Sequence, residues 1–128
     1  MVYQITKGIK ISVETKYDGS NTRNNGIYHL FAYIITIENK SSETVKLTDR
    51  FWMIFDALNK TEIVKGEGVI GQTPTLAPND IYRYSSGCIL ESEIGAMKGY
   101  YTMLNTNTLE LFKVNIPTFQ LISKATAN

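Results

Sequence analysis

The sequence predicts an all-β chain folded as an antiparallel two-sheet sandwich of roughly seven to nine strands. Three observations carry this. Apolar residues recur at every second position in segment after segment, and nowhere at helical spacing over ten residues. The composition favours strand formers: eight tyrosines, frequent isoleucine and threonine, little alanine. Turn-forming residues punctuate the chain about every 8–12 residues.

The first clear strand covers residues 9–16, where Ile9, Ile11 and Val13 alternate with Lys10, Ser12 and Glu14. The polar stretch from Tyr17 to Gly26 reads as a long exposed loop. A longer strand follows over 27–39. Phe31, Tyr33, Ile35 and Ile37 share one face, and Ala32 and Ile34 make the other face apolar too, as in a central or partner-covered strand. In the third region, 45–58, Val45 and Leu47 set one parity and Trp52 and Ile54 the other. One register cannot bury all four, so a bulge or break is expected near Thr48-Asp49. A short strand over 61–65 leads into a loop over 66–78, punctuated by glycine and proline. Tyr82 and Tyr84, then Met97, Gly99, Tyr101 and Met103, alternate in the next strands. Asn105–Thr108 reads as a hairpin turn. Phe112, Val114 and Ile116 form a strand that Pro117 is expected to end, before Phe119 and Leu121. No internal repeat or boundary appears, so residues 1–128 are expected as one domain, with 1–6 and 123–128 as flexible ends.

A chain of 128 residues can bury a core without staples. Thirteen basic and twelve acidic residues leave a net charge of +1, so nucleic acid is not an expected partner beyond a local patch. A single cysteine, Cys88, forms no internal disulfide and fits a reducing cytosol. The longest apolar run, Leu30–Ile35, is too short to span a bilayer. The first residues lack a basic region followed by an apolar stretch. A cytoplasmic location without membrane insertion is expected.

Four features bear on function. Gly66-Glu67-Gly68-Val69-Ile70-Gly71 matches G-x-G-x-x-G, yet Pro74 and Pro78 forbid the helix a dinucleotide fold requires. What survives is an anion-binding nest of glycine amides beside Lys65, with Lys65, Gly66, Gly68 and Gly71 as its candidates, against a loop shaped for packing or a partner. His29 is the lone histidine and Cys88 lacks a visible activating base, although Arg83 is near in sequence, so no catalytic set assembles. The scattered acids make no clustered metal site and leave room only for weak Mg²⁺, Ca²⁺ or Co²⁺ binding; no cofactor is expected. Trp52 suits a buried position on a central strand, while Phe51 and Phe55, on the opposite parity, suit an exposed or interface surface for stacking or peptide anchoring.

Taken together, the segments Arg50–Asp56, Val64–Pro74, Leu76–Pro78, Tyr84–Gly87, Gly95–Tyr101 and Phe112–Leu121 resemble the bacterial ApaG family. Thr6–Val13 and Phe31–Asn39 extend the resemblance over nearly the whole chain. Asn79 stands where the family usually has glycine, and the stretch from Asp18 to Asn25 and the tail after Leu121 match nothing in particular. The resemblance implies an immunoglobulin/fibronectin-III-like sandwich, often dimeric, and a genetic link to cobalt resistance and magnesium efflux. It also implies kinship with domains of a eukaryotic polymerase-interacting protein and of F-box proteins, for which protein binding is inferred. Nucleotide or pyrophosphate binding has been suggested for the glycine motif. The expectation is therefore a non-enzymatic, homodimeric protein-interaction module acting indirectly on ion homeostasis. The alternative is a phosphate-ligand binder at residues 66–71.

Overall fold

Strand parity, and the places where it breaks, set the architecture of the computed structural model, which describes residues 1–123. The last residues of the expected tail, 124–128, lie outside the described residues. Among the described residues nine strands form in chain order: β1 (Val2–Thr6), β2 (Ile9–Arg23), β3 (Gly26–Asn39), β4 (Val45–Asp56), β5 (Glu62–Glu67), β6 (Thr75–Leu76), β7 (Ile81–Leu90), β8 (Ile94–Asn105) and β9 (Leu111–Ile122). One antiparallel sheet has the order β1-β2-β3-β7. The other has the order β5-β4-β8-β9, with β6 paired to the start of β4. The two-sheet sandwich is the fold that the alternation predicts, and it is consistent with the fibronectin-III-like form that the family resemblance implies.

The inner faces fill the core. Ile9, Ile11, Val13, Phe31, Ile35 and Ile37 come from the first sheet; Leu47, Trp52, Tyr101, Met103, Val114 and Leu121 come from the second. Burying one such side chain is worth about 1.5–3 kcal/mol, so the period-two pattern is itself the main driving force. Trp52 is 3% exposed and packs edge-on against Tyr33 and Phe119. The sandwich is closed along one side, where β1 and β2 meet β9 and the Asn115 amide donates to Thr6 Oγ1 at 3.2 Å. Along the other side, β7 and β5 are end strands of their sheets with no ladder between them.

The predicted break in β4 is present. Its ladder with β8 shifts between Leu47 and Asp49, making Thr48 an extra residue. Val45 and Leu47 before it and Trp52 after it therefore all face the core. A second shift, between Met97 and Gly99, falls on β8 opposite Pro117 and Thr118 of β9. A Cβ on Gly99 would lie 1.9 Å from the Phe51 carbonyl, so only glycine lets β8 and β4 approach there.

Three expectations need correction. Residues 2–6 are not a flexible end: they form β1, paired antiparallel with β2 from Val2 opposite Val13 to Thr6 opposite Ile9. The stretch from Tyr17 to Gly26 is not a long loop. It continues β2, shifts register between Tyr17 and Ser20, and turns on Asn24 and Asn25, whose φ angles of 50° and 66° suit a two-residue hairpin. This end of the ribbon is exposed, so its strands carry no apolar alternation. Pro117 does not end its strand either. β9 runs on to Ile122, because proline is tolerated at a bulge on a sheet's end strand.

Asn39 closes the corner between β3, β4 and β6. It is fully buried, and its Nδ2 donates to the carbonyls of Glu43 (2.8 Å) and Leu76 (3.0 Å). Its Oδ1 accepts from the Ser41 amide and hydroxyl. Its amide donates to the Asp80 carbonyl, and its own carbonyl accepts from Asn79. Asn39→Leu should leave these buried groups without partners and lower stability by about 2–3 kcal/mol, read as a fall in the urea midpoint at constant slope. Asn39→Ser, which keeps one acceptor, should recover part of it.

Candidate functional site

The glycine motif begins inside β5. Gly66 pairs with Arg50 on β4, and a Cβ there would sit 3.2 Å from the Arg50 guanidinium. The Gly68 amide donates to the carbonyl of the bulge residue Thr48 at 2.8 Å. Val69 and Gln72 exchange both backbone hydrogen bonds, at 2.8 and 2.9 Å, around a two-residue turn of Ile70 and Gly71 with φ of 46° and 74°. Arg50 Nη1 donates to the carbonyls of Glu67 and Gly68, each at 2.9 Å. The motif is thus a tight hairpin bonded to β4 at Thr48 and Arg50.

The four candidate residues of the motif do not converge. Lys65 and Gly66 line a shallow groove on the outer face of the second sheet, beside Phe51 and Tyr100. Gly71 lines the rim of a different and larger cleft between the sheets. Gly68 is buried, with φ of +66° and no room for a side chain: a Cβ would meet the Gln72 carbonyl oxygen at 2.3 Å.

That larger cleft, about 740 Å³, opens along the unjoined side of the sandwich. Its floor is apolar and aromatic, formed by Phe31, Tyr33, Trp52, Tyr84, Cys88 and Met97. Polar groups stand at its edges: Arg50, Glu62, Ser86 and Asp18. Ile70 projects 61% exposed from the glycine hairpin at the rim. Beside it, β7 exposes Ile81, Arg83, Ser85, Gly87 and Ile89 in alternation, while Tyr82, Tyr84, Ser86, Cys88 and Leu90 turn inward.

The titratable groups of the floor are held neutral. Burial pushes the Tyr33 and Tyr84 hydroxyls up, opposed in part by the nearby Ser86 and Tyr101 hydroxyls and by the Arg50 charge. Tyr101, fully buried, is pushed well above the ordinary tyrosine value by burial, then by Tyr84, to which its hydroxyl is hydrogen-bonded. Burial, then the negative charges of Glu62 and Asp56, push the Cys88 thiol up to about 11. His29 is engaged elsewhere, its Nδ1 sharing a 2.9 Å hydrogen bond with the Tyr17 hydroxyl. Among the described residues no three His, Cys, Asp or Glu side chains group closely enough to hold a metal ion, and no helix is long and apolar enough to cross a membrane.

With this geometry in view, comparison with known proteins is decisive for kinship. The ApaG domain model matches residues 19–105. The chain belongs to the ApaG family. It is 44% identical to Protein ApaG of Shewanella sediminis over 113 residues, covering 88% of this chain and 89% of that protein. It is likewise 44% identical to Protein ApaG of Brucella anthropi over 121 residues, covering 94% and 92%. The X-ray structure of a structural-genomics target superposes with a TM-score of 0.85 at 39% identity, covering 90% of this chain and 86% of that one. Sequence reasoning named the glycine motif and Trp52 of this ApaG-family chain but missed the cleft, whose floor comes from strands distant in sequence. The inward parity of Tyr84 and Cys88 on β7 was the one available signal.

The hairpin geometry sets a contrast. Gly68→Ala should cost about 2 kcal/mol or more, because left-handed backbone and a carbonyl clash add. Gly71→Ala, with open space around its Cβ position, should cost only about 1 kcal/mol. Urea unfolding of the two variants checks this. The raised Cys88 value has a pH signature. The folded state holds the proton more tightly than the unfolded chain, whose thiol titrates near 9, so the contribution is full below pH 9 and is lost as pH rises towards about 11. Thermal melts across that window should fall less steeply for Cys88→Ala than for the parent.

Proposed function

We propose that the chain is a non-enzymatic protein-interaction module that takes an extended segment of a partner into the inter-sheet cleft. The observation that carries this is the juxtaposition of the aromatic-floored cleft with the unjoined end strand β7. An end strand offers alternate backbone N–H and C=O groups to an added strand, and a pocket beside it selects that strand's side chains. An apolar or aromatic anchor suits the floor of Trp52, Tyr33 and Met97, and an acidic neighbour suits Arg50. The effect on cobalt resistance and magnesium efflux that the family resemblance implies is then exerted through the partner, from the cytoplasm. Homodimerisation is part of the same reading.

A photo-crosslinking residue placed at Ile89 should capture a specific cytosolic protein, and Ser86→Phe, which fills the cleft, should abolish the adduct. The same crosslinker at Gln120, on the other sheet's outer face, should give none. An Ile89 adduct indifferent to Ser86→Phe, or no adduct at all, overturns the reading. The alternative is a nucleotide or pyrophosphate held by Lys65, Gly66, Gly68 and Gly71. It is the weaker, because Lys65 and Gly71 line different grooves and the Gly68 and Val69 amides already serve the hairpin. Calorimetric titration with pyrophosphate and Mg²⁺ separates the two: heat of binding that Lys65→Ala removes and Ser86→Phe leaves intact favours the phosphate ligand.

A further inference from the structure

The outer face of the β5-β4-β8-β9 sheet carries a second constellation, separate from the cleft. After the Thr48 bulge, Phe51 points out of the sandwich while Trp52 points in. Phe51 stands opposite Tyr100 in the β4–β8 ladder, and the rings stack at 4.9 Å with 16° between their planes. On its other ladder Phe51 stands opposite Lys65. Lys113 Nζ lies over the Tyr100 ring at 4.5 Å, and Lys98 Nζ over the Phe55 ring at 5.8 Å. Two shallow grooves flank the stacked pair. One contains Lys98 and Asn115 and no carboxylate; the other contains Lys65 with Asp49 and Glu67.

We propose that this face binds single-stranded nucleic acid. Rings on a solvent-facing antiparallel sheet, with ammonium groups resting over them, offer what an unpaired strand needs: cations for phosphates, and aromatic planes for bases once Lys113 and Lys98 swing from Tyr100 and Phe55 onto those phosphates. Cross-strand stability alone accounts for the Phe51–Tyr100 pair. Lysines from three different strands, Lys65 of β5, Lys98 of β8 and Lys113 of β9, add their charge around this aromatic row. Charge complementarity points the same way, since the groove beside Lys98 holds a cation, two amide side chains and no acid. The net charge of +1 restricts the interaction to this patch and excludes a broad phosphate-facing surface.

The test is fluorescence anisotropy of a labelled oligouridylate of about 12 nucleotides with the full chain. Binding should weaken with salt at a logarithmic slope of about −0.7 for each phosphate engaged, hence about −2 for three lysines. Lys98→Glu with Lys113→Glu should lower affinity at least about tenfold and flatten that slope. Tyr100→Leu, which keeps an apolar side chain on the sheet, should lose about tenfold with the melting temperature held. Lys16→Glu, on the other sheet, should change nothing. A duplex of equal length, whose bases are already stacked, should bind more weakly than the single strand. The proposal is overturned if high micromolar protein leaves the anisotropy unchanged, or if Lys16→Glu weakens binding as much as the lysine pair does. It is also overturned if sedimentation shows that the lysine pair or Tyr100→Leu dissociates a dimer, which assigns the face to a second copy of the chain.

Discussion

The extra residue in β4 is the constraint on which the rest of this molecule turns. In a period-two strand, one register buries one parity throughout. Without a shift at Thr48, Leu47 and Phe51 would share the core and Trp52 would face water. The bulge reverses this, so that Leu47 and Trp52 are both buried while Phe51 faces out. A bulge leaves unpaired backbone groups, and here they find partners. The Thr48 carbonyl accepts from the Gly68 amide, and the one proton of the Thr48 hydroxyl is shared between the Asp49 carboxylate at 2.8 Å and the Thr102 carbonyl at 3.2 Å. The inter-sheet cleft and the aromatic outer face, the two surfaces proposed for binding, both depend on this one irregularity, one lying on each side of β4.

The glycine motif gains its meaning from the same irregularity. Read alone, G-x-G-x-x-G next to a lysine is a pattern of flexible amides suited to an anion. In the fold those glycines meet different demands. Gly66 lies flat under the Arg50 guanidinium, Gly68 turns where no side chain fits, and Gly71 completes a two-residue turn. Arg50 then ties the hairpin's carbonyls to β4 from the cleft side. A carbonyl-facing arginine and an amide-facing anion are opposite solutions, and no local pattern distinguishes them. Only the register of β4 against β5 does.

What the residues disclosed follows the same division between local and distant information. Alternation at Ile9, Ile11 and Val13, or at Phe31, Tyr33 and Ile35, is a local signal, and it gives the strands and their inward faces. The parity conflict between Leu47 and Trp52 is also local, and it located the bulge. The ribbon from Tyr17 to Gly26 was illegible because strands with both faces in water carry no apolar period; their only cue was the asparagine pair at the turn. Pro117 misled because its tolerance depends on β9 being an end strand, which is a fact about sheet order. The cleft was the least legible feature. Its existence depends on β1 and β2 closing the sandwich against β9 on one side while β7 and β5 stay apart on the other.

Electrostatics supports binding over chemistry in that cleft. A group that moves protons at neutral pH works best with a pKa near the operating value. The floor has the reverse arrangement. Tyr33, Tyr84, Tyr101 and Cys88 are all pushed upward by burial, away from neutrality and towards their uncharged forms. The charges that remain, Arg50, Glu62 and Asp18, stand at the rim, and Arg50 is partly satisfied by the hairpin carbonyls. A neutral aromatic floor under a charged rim loses little on desolvation when an apolar side chain enters it. It orients that side chain through the groups at its edge. The forces that set the strand parity, burial within and solvation without, therefore also give the cleft the neutral, apolar floor on which its proposed role as a receptor for an apolar anchor rests.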